Sequence, residues 1–319
     1  MSLLRRIDSW MGRRIAWLVA CSLIVGILFD EPLSLIRQFA TPQMAFMTFS
    51  NTLGGGFGEL GQALQKPKPV IATLLSLHLV LPLAGLVIGG VLMPEGTLYG
   101  LGLTIQLCSP TAVSSMIWAA MNGGNPYLCL TLVLIDALMI PLVMPVSLRL
   151  LTGTVVSVDV WPMMKNLLVM VAIPALIAMT AHYVLQENTT KQAKAALAPF
   201  AKLAMIVLLT GNATKCAPFL RSAAADMPRI LLAVLVTCVL GYVWGYLLGR
   251  ILRLDYATVV TMTLNTGMRN NAVGSTLASA YFPAEAVFPA VIVPLFSQMT
   301  AAFMMKYVRR KALAEQKRD

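Results

Sequence analysis

Apolar runs of about 20 residues recur along almost the whole chain, and they constrain its fold more than any other feature. A helix needs about 20 apolar residues to cross the ~30 Å hydrocarbon core of a bilayer. Ten such runs can be read, with limits near 13–29, 38–57, 69–92, 98–120, 126–151, 161–184, 198–217, 229–250, 257–281 and 285–307. They are continuous and do not alternate, which excludes a transmembrane barrel. Only 12% of the 319 residues are charged, where a soluble domain carries about 25%. The sequence therefore predicts an all-α membrane protein with ten transmembrane helices. No small-residue cleavage site follows the first run, so that run is read as a span and not as a removable leader.

The charges test this count. The net charge is +11, but the cations fall in the gaps between apolar runs. That is a topological signal and not a nucleic-acid footprint, so the lipid bilayer is the expected partner. With the N-terminus inside, cytoplasmic segments hold 17 of the 24 Lys and Arg, including Lys66, Lys68 and the Lys306–Arg318 cluster. The opposite side holds 6, and Arg269 is the remaining one. This bias predicts a multi-pass protein of the cell inner (plasma) membrane with both termini cytoplasmic. Residues 59–67 read as a short interfacial helix. Ten spans divide five and five, and an odd number per half inverts the second half relative to the first, a recurring transporter architecture. The expected repeats are 1–155 (spans 1–5) and 156–319 (spans 6–10).

Two runs are interrupted near their middles, and each is the fourth of its half. In the fourth span, Pro110 removes a helical hydrogen bond, and Thr111, Ser114 and Ser115 follow within five residues. In the ninth, Asn265, Thr266, Gly267, Arg269, Asn270 and Asn271 stand where Leu, Ile or Val belong. A buried arginine costs roughly 2.5–3.5 kcal/mol on insertion scales, so it must face a partner, a cavity or a ligand. A half-helix N-terminus at the midplane presents free N–H groups and a positive dipole end. Interruptions at matching positions of two halves point to a transporter's binding site. The remaining residues signal no other chemistry. Five cysteines show no paired spacing, so neither a disulfide nor a metal site is expected. No phosphate loop, catalytic triad or metal-ligand spacing appears, which predicts a protein that is not an enzyme and needs no cofactor.

Asn265-Thr266-Gly267-Met268-Arg269-Asn270 resembles the Glu-x-Gly-Met-Gln-Asn motif of the bile acid/sodium symporter family. Cys108-Ser109-Pro110 through Gly124-Asn125 is similar to that family's Cys-Pro-Gly-Gly-Thr-Ala-Ser-Asn stretch and its exit, and Gly58–Pro69 and Pro82 also fit. The resemblance implies ten spans, a core domain (spans 3–5 and 8–10), a panel domain (spans 1, 2, 6 and 7) and crossed, broken helices 4 and 9. It also implies alternating-access cotransport of organic anions with sodium. Departures fall on the positions that the family uses for sodium. Asn265 stands for the Glu and Arg269 for the Gln. Ser115 is kept, but Met116 replaces the following Asn. Cys129 and Val133 occupy hydroxyl positions of the fifth span, and Leu77, next to His78, occupies a third-span Gln position.

Those departures predict that sodium coupling is lost and that Arg269 serves as a tethered cation in its place. Asp136, which shares a helix face with Val133 and Cys129, is the expected counter-charge, meeting Arg269 directly or through water. His78 is more often a packing residue than a proton relay, and the coupling ion, sodium or a proton, stays open. The expected function is secondary transport of small organic anions, carboxylates of bile acid or 2-oxo acid type. Thr111, Ser114, Ser115, Asn265, Thr266, Gly267, Asn270, Asn271 and Arg269 are the candidate substrate ligands. Two rivals are an arsenite or oxyanion efflux permease using Cys108, and a membrane receptor that binds without transporting.

Overall fold

The computed structural model describes residues 3–58, 61, 67–93, 98–153, 159–185, 187–222 and 225–316. Lys66, Lys317, Arg318 and most of the proposed interfacial helix 59–67 lie outside the described residues. Those described are almost entirely helical and contain no strand, only one isolated bridge between Thr111 and Arg269.

In chain order the helices are α1 (Leu3–Arg13), α2 (Ile15–Leu28), α3 (Asp30–Leu33), α4 (Ala40–Thr52), α5 (Pro67–Leu75), α6 (Leu81–Leu92), α7 (Tyr99–Cys108), α8 (Ser114–Met121) and α9 (Pro126–Thr152). They continue with α10 (Val160–Leu167), α11 (Ile173–Val184), α12 (Glu187–Thr214), α13 (Ala217–Ser222), α14 (Met227–Ile251), α15 (Tyr256–Gly267), α16 (Asn271–Tyr281) and α17 (Ala284–Gln316). Six continuous helical stretches are long and apolar enough to cross a membrane: 67–92, 126–152, 160–184, 187–214, 227–251 and 284–315. A seventh is the pair α1 and α2, bent by 75°. Leu28, Val91, Leu150 and Ile251 are all more than 60% exposed, which suits side chains facing acyl tails and not water. This is a multi-pass membrane protein.

Local chemistry sets the helix ends. Asn125 caps α9, its side chain accepting from the N–H groups of Tyr127 and Leu128 at 3.1 Å, with Pro126 just inside. Asp255 caps α15 through Thr258 N–H at 3.0 Å. Two spans carry a π turn: Ser76–Val80 joins α5 to α6, and Leu168–Ala172 joins α10 to α11. Each runs into a proline, Pro82 or Pro174. Proline cannot donate to the carbonyl four residues back and crowds it, so the ladder widens and releases carbonyls. Small residues allow the closest packing. A Cβ on Gly89 of α6 would lie 2.7 Å from the Cα of Gly100 on α7, so these two backbones touch.

Candidate functional site

The two interruptions meet. The first half-helix, α7, ends at Cys108, because Ser109 is extended (φ −64°, ψ 153°) and Pro110 follows. The other break lies between Gly267, the end of α15, and Asn271, the start of α16. The unwound stretches run antiparallel and satisfy each other's backbone. Ala112 N–H donates to Met268 O at 2.8 Å, and Asn270 N–H donates to Pro110 O at 2.7 Å. Thr111 Oγ1 donates to Asn265 O at 2.9 Å. Irregular backbone survives inside a membrane protein only where protein or a cavity supplies such partners.

Arg269 is 4% exposed at the centre of this crossing. Its Nη2 donates to Leu107 O at 2.6 Å and to Leu77 O at 3.0 Å. Leu107 belongs to the last turn of α7, whose carbonyls have no helical partner. Leu77 lies in the π turn, which frees carbonyls in the same way. The guanidinium thus sits on oxygens at the negative end of a half-helix dipole. Its Nε and Nη1 are buried without a partner.

Asp136 is fully buried. One oxygen, Oδ2, accepts from Thr111 N–H at 2.6 Å; the other, Oδ1, lies 2.9 Å from His78 Nε2. The expected direct Arg269–Asp136 pair is therefore not formed. The carboxylate is drawn to the unwound amide of Thr111 and to the imidazole, while the guanidinium is taken up by freed carbonyls, although Asp136 stays within Coulombic reach of Arg269. His78, read from the sequence mainly as a packing residue, is the partner of Asp136.

The other candidate residues divide into three groups. Thr111, Ser115, Asn265 and Cys129 form one buried network. Asn265 Nδ2 donates to Cys129 Sγ at 3.0 Å and to Thr261 O at 2.9 Å, and Ser115 Oγ lies 3.1 Å from Cys129 Sγ. Val133 is buried, and Met116 packs beside this group. Ser114, Asn270 and Asn271 keep partial exposure at the starts of α8 and α16. Asn270 caps α16 through Val273 N–H at 3.3 Å, and Asn271 Oδ1 accepts from Gln106 Nε2. Thr266 and Gly267 instead face α14. Thr266 Oγ1 returns to Met262 O, and a Cβ on Gly267 would meet the Tyr242 ring at 2.2 Å.

Sequence reasoning missed Gln106 and Asn212. Asn212 in α12 is 1% exposed and donates to Ser275 Oγ and Thr276 Oγ1 of α16 at 3.0 and 3.1 Å. An amide inside an apolar run was the available signal for both. Asn212 also borders a cavity of about 320 Å³, lined with Arg37, Gln38, Thr41, Asn166, Thr276 and Ser279. It opens between α16 and the group formed by α4, α10 and α12. Lys215 reaches the same edge through Ser279 O.

The profile of the Sodium Bile acid symporter family matches residues 41–216. The protein YbaS of Bacillus subtilis is 35% identical over 286 residues, covering 89% of this chain and 93% of that protein. The sodium-dependent transporter YocS of the same organism is 22% identical over 323 residues, 99% of this chain and 97% of its own. A rice protein described as the probable chloroplastic sodium/metabolite cotransporter BASS1 is 28% identical over 278 residues, 86% of this chain and 62% of its own. With a buried crossing of two broken helices and matches along most of its length, this chain belongs to the sodium bile acid symporter family.

Proposed function

We propose that this protein is a secondary transporter of small organic anions that works by alternating access and that Arg269 takes the place of a coupling sodium. In this reading the ten spans form two inverted repeats, 1–155 and 156–319, with both termini in the cytoplasm of a cell whose inner (plasma) membrane the protein crosses. The core (spans 3–5 and 8–10) carries the crossing, and the panel (spans 1, 2, 6 and 7) faces it. A substrate carboxylate meets the partly exposed half-helix starts at Ser114, Asn270 and Asn271. The cavity between α16 and the α4, α10 and α12 group supports this reading as a route between the two domains.

The observation that carries the proposal is the pair of hydrogen bonds from Arg269 to Leu77 O and Leu107 O. A sodium ion needs several hard oxygen ligands, and a fixed cation already occupies these two. The hydroxyl and amide groups of Thr111, Ser115 and Asn265 are turned toward one another. Thermal-shift screening of the purified protein against monocarboxylates, 2-oxo acids and bile salts, each with and without sodium, tests it. Stabilisation by an organic anion that is indifferent to sodium supports the reading, because a binder stabilises by mass action.

A second reading, sodium-driven transport, is favoured by the descriptions of YocS and the rice relative. It predicts anion binding only in sodium. The arsenite reading is disfavoured, because Cys108 is 1% exposed within the apolar core.

A further inference from the structure

We infer that the buried His78–Asp136 pair is a proton-binding site wired to the helix crossing, so that a proton is the ion that drives this transporter; the driving role rests on the transport reading above. The geometry argues this in three steps. First, the two titratable groups lie 2.9 Å apart, with the carboxylate fully buried and the imidazole 10% exposed, and the facing atoms, His78 Nε2 and Asp136 Oδ1, are buried without an aligned hydrogen bond. Imidazole is the side chain whose charge ordinarily changes between pH 5 and 8. The exposed member is the one through which a proton can enter.

Second, the charge balance around the pair leaves room for one proton. The neighbouring elements turn Asp136 and Cys129 of α9, Cys108 of α7 and Arg269 of the crossing toward this region. Lys68, Tyr99 and Arg149 lie on the packed helices but nine or more residues from the nearest of these groups along the same helix, and Tyr127, two residues before Cys129, is exposed. Tyr242, from α14, has its hydroxyl on Ser297 O. With His78 neutral and both thiols protonated, Arg269 and Asp136 cancel. One added proton makes the cluster cationic, and one arriving carboxylate restores neutrality. Thr111 is three residues before Ser114, so the two are at most about 10 Å apart along the chain. At roughly that distance and an effective dielectric near 20, one charge alters the binding of another by about tenfold.

Third, the pair is mechanically connected. Asp136 Oδ2 holds the N–H of Thr111, the residue bridged to Arg269. A proton drawn into the pair withdraws charge from the carboxylate and weakens that charge-assisted bond. Proton binding and the geometry of the crossing are therefore linked, and linkage is reciprocal. The proton is taken from water on one side with the anion and returned to water on the other.

The chain has 2 histidines, so His182→Gln leaves His78 as the sole imidazole. We expect its nitrogen resonances, in ¹⁵N-histidine-labelled protein, to pass from neutral to charged as pH falls from 8.5 to 5. An imidazole held in one protonation state throughout overturns the proposal. Hydrogen exchange of the peptide containing Thr111, corrected for intrinsic rates, should change about tenfold across the same range and become flat in His78→Gln. Exchange that is pH-independent while His78 titrates also overturns it. The titration needs no His78 or Asp136 variant, so it stands even where those variants do not fold. Neither arm uses an anion, so a failed anion screen with an intact titration counts against the transport reading alone.

Discussion

Replacing Arg269 with Gln separates a tethered cation from an occupied sodium site. In the native protein the guanidinium satisfies Leu77 O and Leu107 O, both on buried residues. Each charge-assisted bond contributes about 1.5–3 kcal/mol. Part of their loss is offset because Nε and Nη1, buried without partners, no longer need to be desolvated. Asp136 then keeps a charge with one cation fewer nearby, and removing one member of a buried charged group costs about 3–5 kcal/mol. At about 2 °C per kcal/mol for a chain of this size, the Tm should fall by roughly 6–10 °C. The vacated carbonyls can then accept a metal cation. Sodium at a hundred times its Kd returns about 2.7 kcal/mol, or roughly 5 °C. The assay compares unfolding midpoints in sodium chloride and choline chloride at equal ionic strength. Wild type should be indifferent to the exchange, and R269Q should gain several degrees in sodium. Sodium-specific stabilisation of the wild type would refute the argument, because the native site would then hold the ion beside the arginine.

Three further outcomes follow from the packing. Gly267→Ala drives a methyl into the Tyr242 ring; overpacking costs about 1–3 kcal/mol, so an unchanged Tm would show that the α14–α15 contact is looser than described. Asp136→Asn should cost about 3–5 kcal/mol as a buried charge partner, while Asp226→Asn loses one long bond from Tyr99 hydroxyl at 3.3 Å and should cost about 1 kcal/mol or less; equal losses in chemical denaturation would remove Asp136 from the site. A small water-soluble maleimide should modify none of the five cysteines rapidly in the folded, membrane-embedded protein, because Cys108, Cys129, Cys216 and Cys238 are buried and Cys21 lies in the middle of α2, facing acyl tails where a reactive thiolate does not form; rapid modification of any cysteine by intact mass would contradict that placement.

Both interruptions were legible in the sequence because hydrocarbon tolerates so few of their residues. Pro110 and the run from Asn265 to Asn271 announce unwound backbone whatever surrounds them, and a helix has to bring Cys129 and Asp136 to related faces seven residues apart. Even so, Thr266 and Gly267 were indistinguishable in sequence from their neighbours, and the fold turns them toward α14. Gln106 and Asn212 read as minor blemishes in apolar runs, although each ties its helix to α16.

The sequence by itself determined that this chain is built from apolar helices with polar breaks, because composition and periodicity are properties of the chain alone. Only the tertiary structure decided the partners of its buried charges. Arg269 is satisfied by carbonyls that a π turn and a helix end release, and the same two segments supply the Thr111 amide that holds Asp136 and the His78 imidazole beside it. Backbone groups carry no mark in a sequence that says they are free. Their availability is fixed only when the helices are broken, bent and laid across one another.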